Sequence, residues 1–223
     1  MIRSISRNTN TFTLCIVFIS FLFISGKSFS QTKIGLSTGV NLTSFSGVSE
    51  DNASFSSSPG LILGLSGEFN ITKDLKIVFQ PGFIQRNGNI SYSINFKGEI
   101  DSFKTKLNYL NFPLFLKVPA LNKVAYFNSG ISASYLMSSS LEYTQKDTSD
   151  TDLDQVLNSF DFSFIFGVGA TVHLSKKIDI DFEARYTQSI VSAGNGESLG
   201  TRAIPTRLRY AGFQILTNIL YCF

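Results

Sequence analysis

The chain has 223 residues and a formal net charge of +3, with 19 Lys and Arg against 16 Asp and Glu. Its basic excess is confined to the first 30 residues, where Arg3, Arg7 and Lys27 fall, and residues 31–223 hold 16 side chains of each sign. A basic surface for nucleic acid is therefore excluded for the rest of the chain, and no nucleic-acid partner is expected.

The N-terminus has the order of a secretory signal peptide. Two arginines precede an apolar run from Phe12 to Ile24, and small and polar residues follow at 28–31. This run is shorter than the roughly 20 residues of a membrane-spanning helix. We expect residues 1–30 to be a signal peptide cleaved after Ser30, with a retained N-terminal anchor as the alternative, and residues 31–223 to form one domain.

Cysteine usage limits the chemistry of the exported domain. Cys15 lies in the predicted signal peptide, which leaves Cys222 as the single cysteine of residues 31–223. An intramolecular disulfide and a thiolate metal cluster are both excluded, and no cofactor is predicted.

Residues 31–223 alternate between apolar and polar side chains with a period of two, which is typical of strands with two different faces. In the segment 178–187, for example, Ile178, Ile180 and Phe182 share one face. Pro81 and Pro113 fall inside two of the predicted strands and indicate bulges or irregular pairing there. Eight strands are predicted, in the order 33–43, 61–69, 75–86, 105–118, 124–137, 161–174, 178–187 and 209–223.

The connections between these strands alternate in length. Short ones are predicted at 70–74, 119–123 and 175–177, and long polar ones at 44–58, 87–104, 138–160 and 192–206. Short periplasmic turns and longer extracellular loops are typical of outer-membrane barrels. The pattern therefore predicts an all-β protein, an eight-stranded antiparallel up-and-down transmembrane β-barrel integral to a bacterial outer membrane, with both termini periplasmic.

In such a barrel the apolar face contacts lipid and the polar face lines the lumen. The polar faces are rich in Gly and Ser and carry charges of both signs, which favours a narrow lumen filled by paired groups. Tyrosines near strand ends are expected at the two bilayer interfaces; they are Tyr109, Tyr126, Tyr135, Tyr186, Tyr210 and Tyr221. The predicted lumen network consists of Glu68, Lys76, Arg86, Asp181, Glu183 and Arg185.

The last predicted strand ends in phenylalanine, with apolar residues at alternate positions before it. This ending resembles the signal that the outer-membrane barrel-assembly machinery reads, so that machinery is an expected partner during biogenesis. The residues of the predicted signal are Phe213, Ile215, Ile219, Tyr221 and Phe223.

Several segments are similar to the PorT-like outer-membrane β-barrel family of Bacteroidetes. They are Lys33 to Asn41, the Tyr-Leu-Asn-Phe-Pro-Leu segment from Tyr109, Phe160 to Phe162 with Gly167 to Gly169, and Glu183 to Tyr186. Asn111 departs from the Glu or Gln that is common there. The resemblance implies an outer-membrane barrel and, for a few members, a component of a protein-secretion apparatus.

Candidates for chemistry are few. His173 is the single histidine, and Ser175 and Asp179 lie near it in sequence, which raises the possibility of a hydrolytic site. A polar strand-end histidine is the favoured interpretation. Glu183 and Arg185 are read as a structural ion pair rather than a solute path. The acidic stretch Asp147, Asp150, Asp152 and Asp154 lacks the glycine and terminal glutamate of an EF-hand loop and is read as a solvated surface loop with weak cation affinity at most.

The sequence thus favours a non-enzymatic outer-membrane barrel with a side-chain-filled lumen. It would act through its extracellular loops or as an accessory of outer-membrane assembly or secretion, in contact with outer-membrane lipid and possible secretion-system proteins. The alternatives are a component of a secretion apparatus, a small lipid-modifying enzyme and a passive pore.

Overall fold

The computed structural model describes residues 32–46, 53–93, 100–120, 124–143, 158–192, 198–199, 202–203 and 209–223. The predicted signal peptide lies outside these residues. Among the described residues, no helix is long and apolar enough to cross a membrane. The strands are β1 (Lys33–Ser46), β2 (Ala53–Ser58), β3 (Gly60–Thr72), β4 (Leu75–Phe79), β5 (Gly82–Ser93), β6 (Ile100–Ala120), β7 (Ala125–Tyr143), β8 (Phe160–His173), β9 (Ile178–Ser189), β10 (Ser198–Leu199), β11 (Arg202–Ala203) and β12 (Arg209–Cys222).

The strands close into a ring of antiparallel pairs. β1 pairs with β12, and the ring continues through β9, β8, β7 and β6 to β4 and β5, which pair with β3, and β3 pairs with β1. β4 and β5 together make one strand of the barrel, interrupted between them. β2 and β3 likewise make one strand, since both pair with β5. The ring therefore has eight members, which confirms the predicted eight-stranded barrel. β10 and β11 form a separate two-stranded pair.

The pairing register sets the stagger of the ring. Following paired positions once around the barrel returns to β1 at a point ten residues from the start, which gives the strands the tilt that a closed barrel requires, typically about 35–45°. The path runs from Thr43 through Gly212, Thr187, Ile165, Gly130, Phe115, Val78 and Glu68 to Lys33.

The two prolines that sequence reasoning singled out lie side by side on neighbouring strands. Gln80 and Pro81 separate β4 from β5. The backbone N–H of Gln80 donates to the carbonyl of Pro113 at 3.1 Å. In an antiparallel ladder one residue uses its N–H and C=O toward the same neighbour. The missing N–H of Pro113 therefore faces Gln80, where the partner strand is already interrupted. The expected irregularity is found at Pro81, whereas β6 runs unbroken through Pro113 and its register shifts instead between Asn108 and Tyr109.

The distribution of side chains is inverted relative to a soluble protein. Large apolar residues face outward and are exposed, such as Phe166 at 55% and Phe213 at 61%, whereas Asp181 and Arg185 are 1% and 2% exposed inside the ring. Tyr135, Tyr186 and Tyr221 face outward, but the prediction was wrong for the other three tyrosines. Tyr109, Tyr126 and Tyr210 are buried in the lumen because their positions in the strand period, not their nearness to strand ends, decide the face.

The two ends of the barrel differ. The "turn end" holds the first and last paired residues, Lys33 and Cys222, and the short connections at 73–74, 121–124 and 174–177. The "loop end" is the opposite end, where the long connections leave the strands. The chain termini of the barrel thus lie together at the turn end.

Closure between the first and last strands can be tested with the native cysteine. The amide of Phe223 donates to the carbonyl of Thr32 at 3.1 Å, so the next pair, Lys33 and Cys222, is a pair without mutual hydrogen bonds, in which the Cα atoms are about 4.5 Å apart. Both side chains point inward. That spacing suits a disulfide.

We expect the Lys33→Cys variant to form a disulfide with Cys222 under mild oxidation of the folded protein, and little in denaturant. Gel mobility with and without reductant measures this. Ile34→Cys, on the outward face next along the strand, is the matched control and should stay reduced. Equal oxidation of both variants would contradict the closed β1–β12 pairing.

Candidate functional site: the polar lumen

Near the turn end, Lys117 of β6 bridges two carboxylates that come from different sides of the ring. Its ammonium group contacts Glu68 of β3 at 2.5 Å and also Asp181 of β9. Lys76 adds a second contact to Glu68 at 3.3 Å, and Thr171 donates to Asp181 at 2.6 Å. The strand period places all of these groups on the inward face. They form one cluster that links five strands across the lumen.

The middle of the lumen is organised by Arg185. Its guanidinium group pairs with Glu183 two residues earlier and donates to Oε1 of Gln80 at 2.5 Å. The amide of Gln80 in turn donates to Oγ of Ser66 at 3.0 Å. The guanidinium carbon lies 4.4 Å from the centre of the Phe115 ring, within the range of a cation–π contact.

Small residues make room for this packing. A Cβ atom at Gly169 would lie 2.3 Å from Cζ of Tyr126, whose ring covers the ammonium group of Lys117 at 4.0 Å. The glycine-rich polar face of β8 is therefore a consequence of bulky side chains that cross the lumen from β7.

Toward the loop end, Arg86 forms a third, separate cluster. It pairs with Asp161 at 2.6 Å and donates to Oγ of Ser134 at 3.2 Å. Its guanidinium group lies between the rings of Tyr109 and Tyr210, at 4.7 and 4.9 Å from their centres. The two tyrosine hydroxyl groups are 3.0 Å apart. Arg86 is thus held by charge, hydrogen bonding and ring contacts together.

The Asn111 side chain, where the PorT-like family commonly carries Glu or Gln, accepts hydrogen bonds from Ser132 at 2.5 Å and Ser134 at 2.8 Å. A neutral amide oxygen satisfies both hydroxyl groups, so this position adds no charge to the lumen.

At the turn-end rim, Asp179 binds Lys33, and Nδ1 of His173 lies 2.6 Å from its other oxygen. The Cys222 thiol is 3.6 Å from the same carboxylate. The Oγ of Ser175 accepts the backbone N–H groups of Lys177 and Ile178 at 3.2 and 3.1 Å. Within the described residues, no hydrogen bond joins Ser175 to His173.

No group of three or more His, Cys, Asp or Glu side chains that could hold a metal ion is found in the described part of the chain. The acidic stretch at 147–154 lies outside it.

Charges in the described lumen balance. Each of its carboxylates contacts a cation, so that five carboxylates face five basic side chains. An unpaired ion in this setting would carry a penalty of several kcal/mol. The carboxylates belong to Glu68, Asp161, Asp179, Asp181 and Glu183, and the cations to Lys33, Lys76, Arg86, Lys117 and Arg185.

The structure places all six predicted lumen residues inside the ring, but in three groups. Glu68, Lys76 and Asp181 share one cluster, Glu183 and Arg185 pair with each other, and Arg86 stands apart. Sequence reasoning missed the partners Lys117, Asp161, Asp179 and Lys33. The strand period marked Asp161 and Asp179 as polar-face residues, whereas Lys117 shares its inward face with Phe115 and Tyr109 and carried no such signal.

The predicted C-terminal assembly signal lies on the outward face of β12. Its side chains are exposed, with Phe223 at 72%, while the backbone of β12 is paired on both edges, with β1 and with β9. The residues are Phe213, Ile215, Ile219, Tyr221 and Phe223.

The lumen network makes a prediction about stability. Lys117→Met leaves Glu68 with Lys76 alone and leaves Asp181 without a cation, so we expect the free energy of unfolding to fall by about 3–5 kcal/mol. Urea titration of the protein in lipid vesicles measures the change. Lys176→Met, in an exposed turn, is the control and should change stability by less than about 0.5 kcal/mol.

The double variant Lys117→Met/Asp181→Asn separates charge from packing. It removes one cation and one carboxylate and leaves Glu68 paired with Lys76, so it should be more stable than Lys117→Met alone. If the double variant is less stable than the single one, the loss comes from packing and not from an uncompensated carboxylate.

Comparison with known proteins places the chain in a family. The family model for an outer membrane protein beta-barrel domain matches residues 29–193, more than half of the chain. No curated protein matches the sequence at a significant level.

Solved structures with a similar fold include OprG from Pseudomonas aeruginosa, at 12% identity and a TM-score of 0.48, covering 89% of this chain and 98% of that one. The outer membrane protein AlkL, in lipid bilayers, has 15% identity and a TM-score of 0.48, covering 89% and 92%. The attachment invasion locus protein Ail of Yersinia pestis has 9% identity and a TM-score of 0.43, covering 86% and 99%.

The closed ring, its outward apolar face and its polar lumen agree with the family match over residues 29–193. The chain therefore belongs to the outer membrane protein beta-barrel domain family and is an integral outer-membrane protein.

Proposed function

We propose that this protein is a non-enzymatic outer-membrane barrel with a sealed lumen, which serves as a rigid support for the segments at its loop end. The charge-balanced lumen is the observation that carries this proposal. Three clusters of paired side chains cross the interior at successive depths. The cavity beside Arg185, Gln80 and Gln214 measures about 20 Å³, which is room for about one water molecule.

Unequal strand lengths support a role at the loop end. β6, β7 and β9 each begin or end at the turn end, yet β6 and β7 have 21 and 19 residues, whereas β9 has 12. The seven additional residues of β7 correspond to about 23 Å of strand. With β2 and β5, these strands form a wall on one side of the barrel that extends beyond β9 at the loop end.

We infer that the turn end, with both termini, faces the periplasm and the loop end faces outward. An even number of strands brings the termini to one end, and short periplasmic turns with longer outer loops are the usual arrangement of such barrels. The wall of long strands would then project from the cell.

The barrel-assembly machinery remains an expected partner during biogenesis. Because both backbone edges of β12 are paired in the closed ring, recognition of the C-terminal strand would precede closure with β1. Outer-membrane lipid then contacts the exposed apolar side chains of the same strand.

The sealed-lumen proposal predicts no steady conductance for the refolded protein in planar bilayers. A wide, stable current step would overturn it, since a passive pore needs a continuous path that the paired clusters now occupy. Phospholipid in the same membranes should remain unhydrolysed, because the Oγ of Ser175 is hydrogen-bonded within its own turn and, in the described residues, not to His173. Release of lysophospholipid that Ser175→Ala abolishes would overturn the non-enzymatic part alone.

A second candidate function is that of a component of a protein-secretion apparatus. It is supported by the resemblance of Lys33–Asn41, the Tyr109 segment and Glu183–Tyr186 to the PorT-like family. Crosslinking in cells followed by affinity purification is the discriminating measurement. Recovery of a defined periplasmic or membrane protein would favour it, and a protein recovered without any crosslinked partner would argue against it.

A further inference from the structure

Charge is distributed unevenly along the barrel axis. The lumen pairs cancel, so the remaining charges lie at the two ends. The short connections at 70–74, 119–123 and 174–177 hold four lysines and one aspartate. Outside these connections and the lumen pairs, residues 31–223 carry ten acidic and seven basic side chains in sequence. The turn end is therefore the basic end of a protein whose mature chain is neutral.

Three of the four lysines lie in the described residues, and all three are exposed: Lys73 between β3 and β4, and Lys176 and Lys177 between β8 and β9. Each carboxylate of the lumen already has its own cation, and within the described residues none of these three lysines makes an ion pair. Their charges are thus available to an outside partner. The fourth, Lys123, lies outside the described residues.

The positions of these lysines around the ring indicate what that partner is. Going around the barrel, two strands separate the β3–β4 hairpin from the β8–β9 hairpin in either direction, through β1 and β12 or through β6 and β7. The two turns are therefore on opposite sides of the ring. A docked protein would contact one side of the rim, whereas lipid surrounds all of it.

Lipid-facing side chains lie directly beside these turns. Ile71 precedes Lys73 and is 52% exposed, and Leu174 precedes Lys176 and is 61% exposed. The ammonium group of Lys177 lies 5.8 Å from the centre of the outward-facing Tyr221 ring. Aromatic rings and long basic side chains at this depth are characteristic of the bilayer interface, where the amine reaches the headgroups.

We propose that Lys73, Lys176 and Lys177 form a basic rim that binds the phosphate groups of anionic phospholipids in the leaflet at the turn end. Ammonium groups act as point charges for phosphate oxygens. The attraction of each lysine to an anionic membrane surface falls off within a Debye length, so the interaction is local to the rim and sensitive to salt. The inference holds for either orientation of the barrel.

The test uses the full mature protein in phosphatidylcholine vesicles that contain trace spin-labelled phosphatidylglycerol or spin-labelled phosphatidylcholine. The fraction of motionally restricted label gives the relative association constant of the two lipids. We expect the wild-type protein to prefer phosphatidylglycerol by roughly threefold to tenfold, given the strength of single lysine contacts with anionic surfaces. The variant K73Q/K176Q/K177Q should show a ratio near one.

The variant K97Q/K104Q/K146Q removes three lysines from the connections that the sequence predicts at 87–104 and 138–160 and is the matched control, which should keep the wild-type ratio. A preference that survives in the rim variant, or that is lost equally in the control, overturns the proposal. Loss of the preference on addition of soluble glycerophosphate at constant ionic strength would assign the rim to free phosphate compounds and overturn the lipid assignment.

Folding of each variant is checked by the change in gel mobility on heating. Should the rim variant not fold, a salt series on the wild-type protein decides. At about 1 M salt the screening length is about 3 Å, so the preference should vanish. A preference that persists there would overturn the proposal.

Discussion

The structure depends on one constraint: charges and backbone groups enclosed by the barrel wall must be satisfied within the protein. Closure of β1 on β12 pairs the edges that an open sheet would leave to lipid. The same closure forces the inward side chains into a narrow space where an isolated ion is strongly penalised. In the described lumen, five carboxylates pair with five cations, and this pairing avoids the free-energy cost of an isolated buried ion.

The same constraint decides how much space is left inside the barrel. The side chains that pair in the lumen leave a cavity of about 20 Å³ beside Arg185 and one of about 170 Å³ beside Lys117 and Tyr126 near the turn end. Lys117 links β3 and β9 across the interior, and its ammonium group also contacts the ring of Tyr126. In the function proposed above, partners would bind at the ends of the barrel rather than in its lumen.

Those ends have opposite character. The turn end is compact, with exposed lysines next to lipid-facing residues such as Leu174. The loop end carries the long strands β6 and β7. Since the described lumen is neutral, the exposed lysines of the turn end are charges that the protein offers to its surroundings.

Sequence alone determined the eight strands and their two faces, because the period of two is a local property of each strand. It also placed Glu183 and Arg185 on one face, two residues apart. It did not determine the strand lengths, since most residues of the predicted connections 44–58 and 87–104 belong to β1, β2, β5 and β6. It did not decide which charges meet across the lumen. Lys117 meets Asp181, and Arg86 meets Asp161, through the ten-residue stagger of the ring, and Tyr109 and Tyr210 are brought together in the same way. That stagger arises from pairing all eight strands at once, so only the tertiary structure could fix it.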